Sequence, residues 1–502
     1  MHSFELQDIT AGLKYNSLYH WKNISVSGIG YDSGRIRPGN VFVAVKGMKH
    51  DGHRFIPVAL GKGAAVIVAE EKPSFPSPAI WINVPDSRLA LSLMAANFYG
   101  QPSQHFSLIG VTGTCGKTTT TSMLREIYET AGLISGMIGT VEVHCARQTW
   151  RSKLTTPDSL ELQRYLHLMV ESGVSHAAME VSSHGLALKR VDGISFQGAI
   201  FTNISPNHLD FHENIEEYAA TKGRLASLVK PEGFLLVNKD DRYFQKLSFS
   251  SKSKCFFFGT IPSCDFMIQN TILGKQGSSF LLKVNNREPM ESIALEDTYP
   301  LRIPLLGMHN VFNAAAAAAG ALLSGIGKES VADGLASFRG VERRMQIHIL
   351  AGLQVIDDTA MNPGSIDAVF NTIRSLSPKK MVLVYAIRGK RGVQVNEDNG
   401  KTLGKWVKDL QIKYFFSTSS VSHVDEQNQV LPEEEDAFFS GVISSGLSPC
   451  HYPDLRDALA QALNAAEPDS TLILLGAQGM DAGVKILQEQ IAPKKVLSPT
   501  PT

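Results

Sequence analysis

Leu108-Ile109-Gly110-Val111-Thr112-Gly113-Thr114-Cys115-Gly116-Lys117-Thr118-Thr119-Thr120 decides the fold of this chain. An apolar run, readable as a buried strand, empties into a loop of glycine and threonine, and helix-compatible residues follow over 122–128. A tight loop between strand and helix aims a row of backbone N–H groups at one point, which suits a phosphate. Lys117 adds a positive charge, and Thr118 a hydroxyl fit for a magnesium ion. Val111 stands where the strict P-loop pattern has its first glycine, and glycines occupy 110 and 113 instead. The flanking strand and helix nevertheless predict a cradle for a nucleoside triphosphate rather than a chance Gly-Lys-Thr turn.

Working outward, buried strands are predicted at 177–181, 198–201 and 233–237, with helical stretches between them. That alternation implies a mainly parallel sheet wrapped by helices. Ligands of such sheets sit at the carboxyl ends of the strands. Glu180 with Ser182-Ser183-His184, Asn203 with His208, and Asn238 with Asp240-Asp241 all fall there. A histidine such as His208 serves equally well as a structural group or a ligand. Lys222, in Thr221-Lys222-Gly223-Arg224, reads as an ordinary surface lysine.

Residues 252–300 read as a β-rich insertion, and the six alanines at 314–319 as a helix that another backbone can approach closely. Before Gln101-Pro102-Ser103, apolar segments at 41–45 and 64–69 and a helix over 89–98 predict a small α/β unit. After Phe338-Arg339-Gly340, strands at 354–357, 381–385, 414–416 and 472–475 alternate with helices. The predicted fold is α/β in three domains. These are a small N-terminal α/β domain (1–100), a central P-loop parallel-sheet ATPase domain (101–338) and a C-terminal Rossmann-like α/β domain (339–502). A disordered tail is expected after Pro493.

The 502 residues carry 48 basic and 48 acidic side chains, so no overall field recruits nucleic acid or anionic lipid. Five cysteines lack metal-ligand spacing and fit a reducing compartment. The N-terminus has no basic-then-apolar signal, and no apolar run reaches membrane-spanning length. A cytoplasmic protein, acting as a monomer, is expected.

Several stretches together resemble the Mur ligases, specifically the UDP-N-acetylmuramoyl-tripeptide synthetases that add the third amino acid of the peptidoglycan stem. They are Asp32-Ser33-Gly34-Arg35, Asp51-Gly52-His53, the loop at 110–119 and Leu154-Thr155-Thr156-Pro157-Asp158. Met179-Glu180-Val181-Ser182-Ser183-His184, Arg190-Val191-Asp192-Gly193, Phe201-Thr202-Asn203 and His208-Leu209-Asp210-Phe211-His212 follow in order, then Lys222, Asn238 and His309-Asn310. The resemblance implies ATP contacts at Gly113, Thr114, Cys115, Gly116, Lys117, Thr118, Thr119, Asn310 and Arg344. It implies a uridine-nucleotide contact at Ser33 and muramoyl-peptide contacts at Thr155, Thr156, Ser182 and Arg190. Lys222 aligns with a lysine that the family carbamylates, which would turn a cation into an anionic ligand. Carbamylated Lys222, Glu180 and His208 would then serve Mg²⁺, with Thr118 on the nucleotide's ion. Lys117, Lys222, Glu180 and His208 are the implied catalytic set. The implied reaction phosphorylates the carboxylate of a UDP-N-acetylmuramoyl dipeptide with ATP, and the amine of a free amino acid then displaces phosphate.

The third domain departs from the family pattern. Asp358-Thr359-Ala360-Met361-Asn362-Pro363 lacks the family's histidine, and Ser417-Thr418-Ser419-Ser420 replaces the Asp-Asn-Pro-Arg element of enzymes that take meso-diaminopimelate. Gly476-Ala477-Gln478-Gly479-Met480-Asp481 replaces Gly-Lys-Gly-His-Glu, while a basic loop, Arg388-Gly389-Lys390-Arg391-Gly392, remains. An amino acid other than meso-diaminopimelate is therefore expected. Two alternatives stay open: a paralogous ligase making a specialised peptide, and a non-catalytic ATP-binding regulator.

Overall fold

The computed structural model describes residues 4–47, 50–73, 77–208, 211–285, 297–448 and 450–491. Three α/β sheets follow one another along the chain. In the first, Gly28–Gly30, Asn40–Val43, Val66–Ala69 and Ile80–Asn83 run parallel, and Ser17–Tyr19 closes the edge antiparallel. Helix Ser87–Phe98 covers one face with Ala90, Leu91 and Met94 against Val41, Val43, Val66 and Val68. Its N-cap is Asp86, whose carboxylate accepts the Leu89 N–H.

The central sheet has eleven strands. Seven run parallel, in the spatial order Ser135–Ile138, His176–Glu180, Ser107–Thr112, Phe196–Phe201, Val229–Asn238, Lys254–Gly259 and Phe266–Gly274. Antiparallel strands extend both edges. The stretch expected to be an insertion is thus the sheet's own continuation. Along Gly277–Val284 every second residue is buried, and Phe280, Leu282 and Val284 join the core formed with helix Met308–Leu323. Alanines 314–319 are fully buried in that core, where larger side chains would hold helix and sheet apart.

The phosphate-loop strand Ser107–Thr112 lies between His176–Glu180 and Phe196–Phe201. From it the chain passes to one side, to Ser135–Ile138, and later crosses from His176–Glu180 to Phe196–Phe201 on its other side. This reversal of direction at Ser107–Thr112 opens a crevice at its carboxyl end. The third sheet has five parallel strands in the order Leu353–Asp358, Thr471–Leu475, Met381–Ala386, Tyr414–Thr418 and Cys450–Tyr452, with Gln346–Leu350 antiparallel at one edge. Helices Pro363–Leu376, Val393–Asp409 and Pro432–Ser444 cover one face, and Leu455–Ala465 with Gly483–Ile491 the other. The expected tail after Pro493 lies outside the described residues.

Candidate active site

The phosphate loop is shaped by contacts that only glycine permits. Gly113 has φ +150°, and a Cβ there would lie 1.9 Å from Thr202 Oγ1. Gly116 has φ +87°, and its Cβ would lie 2.2 Å from Asn313 Oδ1. The loop is pinned to the end of the neighbouring strand. Thr114 N–H donates to the Asn203 carbonyl at 2.7 Å, Cys115 N–H to Asn203 Oδ1 at 2.9 Å, and Asn203 Nδ2 to the Cys115 carbonyl at 3.0 Å. Helix Lys117–Thr130 starts directly behind, so its unpaired N–H groups face the crevice.

Lys117 Nζ folds over the loop and donates to the carbonyls of Gly113 at 2.8 Å and Thr114 at 3.0 Å. Burial holds its amine below the ordinary lysine range. Thr118 Oγ1 donates to Glu180 Oε2 at 3.0 Å. Glu180 is 1% exposed and also accepts the N–H of Thr140 at 2.6 Å and its hydroxyl at 3.0 Å. From the same strand end, the Glu180 carbonyl accepts from Thr156 Oγ1 at 3.0 Å, and Arg190 Nη1 donates to the Thr156 carbonyl at 2.8 Å. Ser182 donates its N–H to Thr156 Oγ1 at 3.0 Å.

Lys222 is not on the surface. It is 1% exposed, its Nζ donates to the Gly113 carbonyl at 2.9 Å, and it sits 4.5 Å from the centre of the Tyr218 ring. Helix Ile215–Gly223 turns this residue under the phosphate loop, a placement set by tertiary packing rather than by local pattern. Burial, reinforced by the charge of Lys117, holds its amine well below the ordinary lysine range. His208 has φ +57°, and its ring meets that of His184 edge-on at 4.9 Å. Burial, then the Arg388 charge, push it down to about 2, so the imidazole is neutral.

Part of this set lines a cavity of about 560 Å³ whose far wall belongs to the third domain. Thr114 through Thr119, Thr155, Glu180, His208, Asn310 and Arg344 all reach it. Asn310 Nδ2 is anchored on the Leu306 carbonyl at 2.9 Å, and Arg344 Nη1 donates to the Arg343 carbonyl at 3.0 Å and to Thr359 Oγ1. Thr156, Ser182, Arg190, Gly113 and Lys222 stand just behind the lining, bonded as described above. Ser33 lies apart, in the short turn Ser33–Arg35 capped by Asp32. Its neighbour Tyr31 links the two regions by donating to Asp158 Oδ2 at 2.9 Å.

Several lining residues escape the sequence reading. Thr140 follows strand Ser135–Ile138, whose Ser-Gly-Met-Ile gives little strand signal. Asp358 and Asn362 come from the third domain, and the pull of burial raises the Asp358 carboxyl to about 6. Arg388 is 7% exposed and donates through Nη1 to Asn207 Oδ1 at 3.2 Å, beside His208. A basic loop in the sequence marks Arg388, but only the tertiary structure shows that it crosses to the central domain.

A strand–glycine-loop–helix cradle backed by buried carboxylate and lysine, and faced by a second α/β domain, defines an ATP-handling ligase site. Family comparison places the chain among known proteins. The model of the Mur ligase middle domain matches residues 111–321, that of the Mur ligase glutamate ligase domain 343–478, and that of the Mur ligase family catalytic domain 25–99. The chain is 32% identical over 477 residues to the UDP-N-acetylmuramoyl-L-alanyl-D-glutamate–2,6-diaminopimelate ligase of Clostridium botulinum, covering 93% of each. It is 32% identical over 476 residues to the ligase of the same name from Clostridioides difficile, covering 94% of each. Among solved structures, MurF from Acinetobacter baumannii aligns with a TM-score of 0.69 at 21% identity, over 98% of this chain and all of that one. MurF from Thermotoga maritima in complex with ADP aligns at 0.65 and 19% identity, over 93% of this chain and 98% of that one. The chain belongs to the Mur ligase family, the ATP-dependent ligases of peptidoglycan synthesis. Among the described residues no helix is long and apolar enough to cross a membrane.

Proposed function

We propose that this ligase adds the third amino acid to UDP-N-acetylmuramoyl-L-alanyl-D-glutamate through an acyl phosphate, releasing ADP and phosphate. The observation that carries this reading is the cradle itself: Lys117, Thr118, Glu180 and Lys222 converge on one loop end, and the third domain closes the cavity in front of it. Gly113 through Thr119 would hold the phosphates of ATP, with Asn310 and Arg344 on its nucleoside side. Thr155, Thr156, Ser182 and Arg190 would hold the muramoyl peptide, and Ser33 its uridine end.

A carboxylate oxygen of the acid attacks the γ-phosphorus, the bond to the ADP oxygen breaks, and an acyl phosphate forms. Lys117 offsets the negative charge that gathers there. The amine of the incoming amino acid then attacks the acyl carbon, and inorganic phosphate leaves as the amine loses a proton. The third domain shields the acyl phosphate from water.

The donor set fits a magnesium ion: Glu180 and Thr118 offer hard oxygens, and His208 offers a neutral ring nitrogen. Lys222 completes the set once carbamylated, and its burial favours the uncharged amine, the form that attacks CO₂. Magnesium, when bound, screens the phosphates and polarises the γ-phosphoryl group. One chain supplies every group named, which supports action as a monomer.

Ser417 through Ser420 support an amino acid other than meso-diaminopimelate. They are buried, and they bond within their own domain: Ser417 Oγ to His451 Nδ1 at 3.1 Å, Ser419 to Glu435, and Ser420 Oγ to the Gly479 carbonyl at 2.6 Å. None of the four lines the cavity, and none carries the charge that reads a second carboxylate. The test is ADP release with the uridine nucleotide dipeptide across a panel of amino acids. ADP release that depends on both acid and amine supports the reading, and preferred use of meso-diaminopimelate refutes the specificity part.

A further inference from the structure

The basic loop 388–392 projects from the end of strand Met381–Ala386 toward the central domain, and its shape is not set by its own residues. Lys390 has φ +50° and Gly392 φ +96°, and a Cβ on Gly389 would lie 2.2 Å from the Asn428 carbonyl oxygen. A non-glycine residue in the left-handed region is held there by its surroundings. The holding group is Glu434, in the first turn of helix Pro432–Ser444 and 1% exposed. Its Oε1 accepts the N–H groups of Arg391 at 2.7 Å and Gly392 at 2.7 Å. Its Oε2 accepts those of Lys390 at 2.8 Å and Leu431 at 3.1 Å. Three successive loop amides therefore close on one buried carboxylate, an arrangement that charge makes strong. Asn396 ties the other end of the loop, donating to the Arg388 carbonyl at 2.8 Å.

The consequence lies at the loop's start. Arg388, pinned between Asn207 Oδ1 and the Met361 carbonyl, borders both the main cavity and an adjoining one of about 210 Å³. Arg391 borders both as well. The carboxylate touches neither cavity. We propose that Glu434 is a positioning residue: it fixes loop 388–392 so that Arg388 is delivered across the domain seam to the Asn207–His208 end of the site. For its effect on turnover this rests on the acyl-phosphate reading above.

Glu434→Gln keeps the size but turns an amide NH₂ toward N–H donors. Two measurements on the full chain separate the outcomes. In hydrogen exchange, amides 390–392 should exchange at least about tenfold faster in Glu434→Gln, with those of residues 113–119 unchanged. In turnover, ATP, UDP-N-acetylmuramoyl-L-alanyl-D-glutamate and hydroxylamine, which traps an acyl phosphate as hydroxamate, replace the unidentified amine. Hydroxamate formation should fall about tenfold or more while KM for ATP stays within about threefold. The double variant Glu434→Gln/Arg388→Lys should lose no more than the larger single loss, because both act through one loop. Unchanged exchange at 390–392, or losses that multiply in the double variant, would overturn the proposal. If Glu434→Gln does not fold, Glu434→Asp carries the same comparison, with loosened amides expected because its carboxylate is one methylene short. Absence of hydroxamate from the unmodified protein would instead strike the acyl-phosphate reading, and the exchange measurement would still decide the role of Glu434.

Discussion

Gly116 adopts φ +87° with Asn313 Oδ1 where a Cβ would go, so its side-chain-free backbone is what lets the loop and the alanine-rich helix meet. Gly116→Ala should cost about 1–2 kcal/mol in backbone strain alone. It should also weaken ATP-analogue binding by displacing the loop, which thermal melts and a binding titration would show together. Lys222→Ala should abolish product formation while leaving ATP-analogue binding nearly intact, and an added short-chain carboxylic acid should restore part of the rate. Full activity of Lys222→Ala without such an acid would remove Lys222 from the metal centre. Glu180 and Lys222 also mark how far single residues could be read. Glu180 was legible because it ends a buried apolar strand, and strand ends in parallel sheets face ligands. Lys222 sits on a polar helix with no such cue, and only the resemblance singles it out. Its burial under Gly113 depends on how helix and loop pack.

Elements were legible in proportion to their local pattern. The strands at 107–112, 176–180 and 196–201 are centred on the apolar stretches Leu108-Ile109-Gly110-Val111, Ala177-Ala178-Met179 and Gly198-Ala199-Ile200-Phe201, and the sequence marks all three. Strand Ser135–Ile138 carries serine and glycine and was not, so Thr140 at its exit was missed as a partner of Glu180. Strand Gly277–Val284 was legible by its alternation within the β-rich stretch 252–300, whereas the edge strand Thr298–Ile303 beside it was not singled out; alternation does not reveal which sheet a strand joins. Helix Met308–Leu323 yields a pH prediction. Burial lowers His309 to about 4 from its ordinary 6.5. The unfolded chain then binds a proton that the folded chain refuses, so this contribution is complete above about pH 6.5 and is lost as pH falls toward 4. Urea unfolding at pH 7 and pH 5 should show the loss. His309→Gln should flatten it by up to about 2 kcal/mol. An identical pH slope in the variant would assign the effect to other groups.

At the scale of the whole molecule, the site is completed by a seam between two sheets. Arg388 bonds to Asn207, Gly364 passes close to Ser205, and Thr372 Oγ1 lies 3.5 Å from His309 Nδ1. Three α/β units could be read from alternating strands and helices, and the phosphate loop from its glycines. How the third unit seats against the second could not, because the contacts join residues about 63 to 181 positions apart and no local pattern encodes them. Arg388→Ala should therefore lower turnover by tenfold or more, roughly the cost of one lost charge-assisted contact, with KM for ATP little changed. The central claim is that a carboxylate of the substrate is phosphorylated before the amine attacks. It is tested most directly by labelling that carboxylate with ¹⁸O and analysing the phosphate released in a complete turnover. One ¹⁸O in each phosphate is the predicted result; unlabelled phosphate would contradict the account.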